Sequence, residues 1–169
     1  RAFAKAGQKL PSNARGRVDL HAPRGIEIQD ARDHAEKLFT GNYDLAKLAE
    51  LVAAAKPPFI GGQAFADGQH PFSLANLRAV RALADREGLR LVLDVSRVVE
   101  NAWYIQRHEP GMADRTIAEI VKTIGKTAHV ILMDGAQDPR ANTGGFLATD
   151  NPSDHEHFIN DVAVFEGLH

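Results

Sequence analysis

The chain has 169 residues and a mass of 18.4 kDa. That is the size of one domain or a portion of one, large enough to bury about two-thirds of its extended surface. Apolar residues make up 44% and charged residues 25%, an ordinary globular balance that argues against wholesale disorder. Twenty basic against 22 acidic side chains give a formal charge of -2, so the basic excess that nucleic-acid binding requires is missing. With no cysteine, disulfides, thiolate metal centres and thiol nucleophiles are excluded. No apolar run approaches the ~20 residues of a membrane span, and Arg1 to Leu10 lack a signal core. Neither nucleic acid nor a membrane is an expected partner, and the expected location is the cytoplasm. Because the first residue is Arg, the chain is expected to be processed or a piece of a longer one.

Residues 1 to 15 are polar and basic and read as a loop or frayed helix. Arg17 to His21 alternates in polarity and predicts a short strand, while residues 22 to 40 carry no clear pattern. Asp44 is a good helix N-cap before Leu45, Leu48, Leu51 and Val52, whose spacing buries one face, and Pro57-Pro58 ends that helix. Phe59 and Ile60 form a strand running into Gly61-Gly62, a pair that reads as a turn of close backbone approach. Ser73 caps a helix with Leu74, Leu77, Val80 and Leu83 inward, stopped at Gly88. Leu91 to Leu93 is an uninterrupted apolar run ending at Asp94, which predicts a strand covered on both faces. Asn101 to His108 reads as a short helix. Thr116 with Glu119 is a capping box before Ile117, Ile120, Val121 and Ile124. Val130 to Met133 predicts a second fully buried strand, ending at Asp134-Gly135. Gly145 to Thr149 is a further strand. Ser153 with Glu156 reads as another capping box, opening a helix with Phe158, Val162 and Phe165 inward.

Strands alternating with helices define an α/β fold with a mostly parallel sheet, flanking helices and right-handed crossovers. Residues 1–169 read as a single α/β domain or domain fragment. In such sheets ligands bind beyond the carboxyl ends of the strands. Three segments occupy those ends: Gly61 to Gln69, Asp94 to Arg97, and Asp134 to Arg140. Asp94 and Asp134 serve there either as ligand groups or as caps of the following helices.

The stretch PFSLANLRAVRALADREGLRLVLDVSRVVENAWYI (residues 71–105) resembles the tryptophanase and tyrosine phenol-lyase family. The likeness continues through RTIAEIVKTI (115–124), NTGGFLATD (142–150) and VFEG (164–167), and covers about residues 41–167. These are β-eliminating lyases that use pyridoxal phosphate. The resemblance therefore implies part of the large domain of the aspartate-aminotransferase fold, fold type I among enzymes with this cofactor. It places Asp94 where the family pairs a carboxylate with the cofactor's pyridine nitrogen, keeping the ring protonated so that it withdraws electrons. Arg97 falls where the family has an arginine beside the ring.

The departures from the family are chemically specific. Its strand end reads Ser-Gly-Lys-Lys-Asp. Here it reads Asp134-Gly135-Ala136-Gln137-Asp138, so Gln137 stands at the lysine that forms the Schiff base. An amide nitrogen, its lone pair delocalised, neither condenses with an aldehyde nor removes an α-proton. Asp134 replaces a serine that would bond the cofactor phosphate, and a carboxylate repels a phosphate dianion. Phe65 falls at an asparagine that would bond the ring oxygen. Lys122 and Lys126, on or just after the preceding helix, are expected on the wrong side to substitute. The family's phosphate loop and the arginine for the substrate carboxylate have no counterpart in this sequence. Asn142 matches a family potassium-site position whose other ligands are likewise missing, so no potassium or other metal site is expected.

The resemblance thus implies a tryptophanase-like lyase homologue that has lost its Schiff-base lysine, is not competent alone, and retains a cleft for a small amino-acid-like ligand. Pyridoxal phosphate is the family cofactor and is not expected to bind covalently here. Two other expectations stand beside this one. In one, the chain is part of an active lyase completed by a second polypeptide or missing sequence; in the other, it is a structural module assembled as a homo-oligomer. Among weaker signals, His155-Glu156-His157 reads as a solvated helix start, because i and i+2 do not share a helix face. Trp103 and Tyr104 read as helix packing against the sheet. Arg78, Arg81, Arg86 and Arg90 read as a solvated face.

Overall fold

The computed structural model describes residues 38–66, 68–141 and 144–165. The strand expected at Arg17 to His21 and the Asn142 position lie outside the described residues. In chain order the elements are α1 (Leu45–Ala55), β1 (Phe59–Gln63), α2 (Leu74–Arg86), β2 (Arg90–Asp94), α3 (Val98–His108), α4 (Ile117–Thr127), β3 (Val130–Asp134), β4 (Gly145–Thr149) and α5 (Pro152–Phe165). The sheet order is β1-β2-β3-β4. β1 to β3 run parallel, with Ile60 opposite Leu91 and Leu93 opposite Ile131. β4 joins antiparallel, with Asp134 opposite Gly145. The fold is α/β with a mostly parallel sheet and flanking helices.

Local chemistry explains most boundaries. The Asp44 carboxylate accepts from the Lys47 N–H, and α1 closes on Lys56 in a left-handed conformation. The Ser73 hydroxyl accepts from Asn76 N–H at the start of α2, and Gly88 takes a φ of +68° beyond its end, a conformation that disfavours a Cβ. Thr116 and Glu119 form the complete reciprocal capping box of α4. The capping box expected at Ser153 and Glu156 does not form. Pro152 already belongs to α5, and the Asn151 side chain accepts from Ser153 N–H (2.8 Å) and Asp154 N–H (3.3 Å).

One face of the sheet carries the core. Leu74, Leu77 and Val80 of α2 and Ile120 and Ile124 of α4 share a cluster with Ile60, Leu91 and Leu93, all at most 1% exposed. Each contributes roughly 1.5–3 kcal/mol by leaving water. The other face differs from expectation. β2 alternates in burial, with Val92 only half-buried, and in β3 only Val130 is buried. Half-buried Ile131 and Met133 pack against that core, whereas Val92 and Leu132 lie on the other face, which the described residues leave partly open and where Phe59 and Leu147 are 46% and 45% exposed. Val162, expected inward, is 52% exposed and Phe158 is half-buried, because α5 reaches the sheet mainly at β4 and through an Arg90–Asp154 ion pair at 3.1 Å. Leu45, expected on the buried face of α1, is exposed too. Gly61 and Gly62 lie within β1 rather than in a turn.

Two contacts fix the β2–β3 seam at its start. His129, 7% exposed, donates its backbone N–H to Leu91 O, and its Nδ1 accepts from Leu91 N–H at 2.9 Å. Nδ1 is therefore unprotonated, and Nε2–H donates to Asp85 Oδ1 at 2.9 Å. Desolvation raises the Asp85 pKa, but the Arg81 guanidinium and His129 outweigh it and hold this carboxyl below its ordinary value.

Candidate functional site at the strand ends

The three segments singled out by topology do meet at one end of the parallel strands. Ala64 N–H donates to Asp94 O at 2.7 Å, linking the exit of β1 to that of β2, and Val95 N–H donates to Leu132 O at 2.8 Å, linking β2 to β3. Parallel strands leave these exits side by side, so the following turns converge.

At the exit of β2, Asp94 Oδ1 accepts from Ser96 N–H at 2.9 Å and from Ser96 Oγ–H at 2.5 Å. Its Oδ2 has no partner among the described residues. Arg97 follows. Its Nε pairs with Glu100 at 2.9 Å, and its guanidinium lies against Gly68, where any Cβ would collide with it. The cation expected beside a ring thus spends one face on Glu100.

At the exit of β3, Asp134 Oδ1 accepts from Ala136 N–H at 2.8 Å. A tight turn follows, closed by Arg140 N–H donating to Gln137 O at 3.0 Å, with Arg140 at a φ of +51°. Gln137 is exposed and its amide has no partner among the described residues. Asp138 points back. Its Oδ2 accepts from Val99 N–H at 2.6 Å, and its own N–H donates to Ser96 O at 3.1 Å. The capping alternative for Asp94 and Asp134 is therefore corrected in detail. Both close short turns beyond their strands, and it is Asp138 that caps α3, whose N-cap residue Arg97 makes no side-chain capping hydrogen bond.

Phe65 lies in the turn after β1 at a φ of +56°. Few bulky residues adopt that region, whereas asparagine tolerates it. The position therefore favours the residue type that the lyase resemblance leads one to expect, and phenylalanine occupies it at a conformational cost. Lys122 and Lys126 line a cavity of about 290 Å³ with His129, Ile131 and Thr149. Thr149 pairs with Val130, at the start of β3, so both lysines sit at the opposite end from Asp94. A second cavity, about 150 Å³, lies between α2 and α4 and includes Arg78 and Arg115.

The strand ends thus hold Asp94, Asp134 and Asp138 against two guanidiniums, that of Arg97, which Glu100 already pairs, and that of Arg140. Carboxylates in that excess suit a cationic or hydrogen-bond-donating group and oppose a phosphate dianion. The donor set fits the ring nitrogen of pyridoxal phosphate through Asp94. It does not fit the aldehyde or the phosphate: none of the four described lysines belongs to the strand-end turns.

Other expectations resolve plainly. Trp103 does not pack against the sheet; it is 49% exposed, with the Arg107 guanidinium 5.4 Å from its ring centroid. Tyr104 packs edge-on against Phe39 at 5.5 Å. His155 and His157 are exposed on α5. Arg81 is not simply solvated, since it holds Asp85 and Thr127 O. Among the described residues no helix is long and apolar enough to cross a membrane. Sequence reasoning missed Ser96 and Asp138 as organisers of the site. An Asp-x-Ser after an apolar run is a usable turn signal, whereas the contact of Asp138 with α3 spans 39 positions and leaves no local trace.

The comparisons with known proteins agree with the resemblance. Residues 12–163 match the family model described as beta-eliminating lyase. The chain is 39% identical over 151 residues to the tyrosine phenol-lyase of Nostoc punctiforme, covering 85% of this chain and 32% of that protein. It is 37% identical over 178 residues to the tryptophanase of Rhodobacter capsulatus, covering 98% and 39%. The chain spans between about a third and two-fifths of the length of these curated relatives. With the family match running through most of its sequence, the chain belongs to the beta-eliminating lyase family.

Proposed function

We infer that this chain is a large-domain homologue of the tryptophanase and tyrosine phenol-lyase enzymes that does not perform lyase chemistry by itself and keeps a strand-end cleft for a small amino-acid-like ligand. The observation that carries the reading is Gln137, at the family's Schiff-base lysine, in a turn without an amine. Pyridoxal phosphate would supply an electron-withdrawing ring for the substrate's α-carbon; the protein amine that would hold its aldehyde and take the α-proton is replaced here by an amide, which can do neither. What the chain's own residues offer is narrower. Asp94 Oδ2 accepts a hydrogen bond or ion pair from a cationic nitrogen, the Gln137 amide offers both N–H donors and an oxygen acceptor, and Asp134 and Asp138 repel anions. The site binds and orients; it holds no base of amine type.

The test is turnover. The chain with added pyridoxal phosphate is given L-tyrosine, L-tryptophan or S-alkyl cysteine, and pyruvate is followed through a coupled dehydrogenase. The expected rate is that of cofactor alone. Pyruvate release above that rate by the chain alone overturns the reading.

A second reading rests on the open sheet face. Phe59, Leu147, Ile159 and Val162 are all about half exposed, and β1 pairs with β2 alone among the described residues. Such features favour association, either as a homo-oligomer or with a second polypeptide that completes a lyase. Light scattering of the purified chain distinguishes these: a monomer removes the homo-oligomer, and lyase activity appearing only on adding a partner supports completion in trans.

A further inference from the structure

We propose that Ser96 is the positioning residue of the strand-end site, aiming the Asp94 carboxylate and tying it to the turn that carries Gln137. The proposal rests on the reading of the strand ends as a retained cleft. Ser96 is 3% exposed and every polar group it owns is engaged. Its N–H and Oγ–H both donate to Asp94 Oδ1, at 2.9 and 2.5 Å. Its Oγ accepts from Asp134 N–H at 2.8 Å, and its carbonyl accepts from Asp138 N–H at 3.1 Å.

A hydroxyl has one proton. Once that proton is given to Asp94, the oxygen lone pair is oriented towards the exit of β3. The two strand ends are therefore joined through a single atom whose orientation Asp94 sets. Two donors on Oδ1 also fix the carboxylate plane and leave Oδ2 as the oxygen presented to a ligand. Neither effect follows from packing alone, since an alanine fills nearly the same space.

The consequence is a coupling between residues that do not touch. Amide hydrogen exchange on the ligand-free chain reads it. Ser96→Ala removes the acceptor, and exchange at Asp134 N–H is expected to rise at least ten-fold, while core amides such as those of Leu77 and Leu93 keep their protection. Ser96→Thr retains the hydroxyl and restores the slow rate. The decisive pair is at Asp94. Asp94→Ala is expected to accelerate Asp134 exchange several-fold, and Asp94→Asn, which keeps an oxygen acceptor, is not. Unchanged Asp134 protection in both Ser96→Ala and Asp94→Ala overturns the proposal.

A separate arm addresses the cleft. Pyridoxine, which has the ring nitrogen but neither aldehyde nor phosphate, is titrated with pH while its ultraviolet spectrum reports ring protonation. On the chain its midpoint is expected to move to higher pH, and Ser96→Ala is expected to reverse at least half of that movement. An unshifted midpoint on the unaltered chain overturns the cleft reading and leaves the exchange result to decide Ser96. A midpoint that shifts equally in both overturns the positioning role.

Discussion

Asp138 caps a helix from 39 residues away, and its removal has a calculable cost. The first-turn N–H groups of α3 lack intrahelical partners, and Arg97 at the N-cap supplies none. Asp138 Oδ2 takes the Val99 N–H at 2.6 Å. Loss of an N-cap side chain costs about 1 kcal/mol, and loss of a negative charge at a helix N-terminus adds roughly 0.3–1 kcal/mol. Asp138→Ala is therefore expected to destabilise the chain by about 1–2 kcal/mol. Asp138→Asn keeps the acceptor and loses only the charge, for about 0.5 kcal/mol. Urea unfolding followed by circular dichroism measures both. Slopes of about 1–3 kcal/mol/M place the Ala midpoint roughly 0.3–2 M below that of the unaltered chain, with an unchanged slope. If Asn is as damaging as Ala, or Ala is neutral, the hydrogen bond does not hold the turn on the helix, and the account of a docked Gln137 turn fails.

Other consequences are open to the same assays. His129→Leu strands the Leu91 N–H and removes the Asp85 partner, for about 2–4 kcal/mol, whereas His129→Asn, whose oxygen can take the place of Nδ1, loses roughly 1 kcal/mol; equal effects would refute the assigned tautomer. Gly145→Ala drives a Cβ into the Met133 carbonyl oxygen and is expected to cost ~1–3 kcal/mol as β4 is pushed off β3, visible as loss of amide protection in both strands. Because Asp85 titrates below its unfolded value, its contribution is fully present above the unfolded pKa and is lost as pH falls through the folded one. Acid titration of stability should therefore show a fall below about pH 4 that is shallower in Asp85→Asn; identical acid limbs would remove that pairing from the account.

The features legible in the sequence are those written in local spacing. Leu74, Leu77 and Val80 recur at helical intervals, and Asp44, Ser73 and the Thr116–Glu119 box sit within one turn of the donors they satisfy. The strands could be found but not oriented. Leu91-Val92-Leu93 is the same string whether one face or both are covered, and nothing in Gly145 to Thr149 encodes its antiparallel direction. Asn151 outcompeted Ser153 because its side chain reaches two N–H groups at once. At the site, topology located the three turns, and the family likeness singled out Asp94, Arg97, Asp134, Gln137 and Phe65. The atoms that bind those turns together, Ser96 Oγ and Asp138 Oδ2, act across 38 and 39 positions, as does His129 Nδ1 at the other end of the seam, a separation at which sequence pattern carries no information about contact.

The central claim is that a carboxamide, not an amine, stands at the end of β3. Its most direct measurement is intact mass after incubation with pyridoxal phosphate and borohydride, on the unaltered chain and on Gln137→Lys. The account predicts no trapped cofactor at the strand ends of the unaltered chain and a stable adduct, mapped by peptide digestion to residue 137, in the variant. Stoichiometric trapping on the unaltered chain at a single side chain would contradict it.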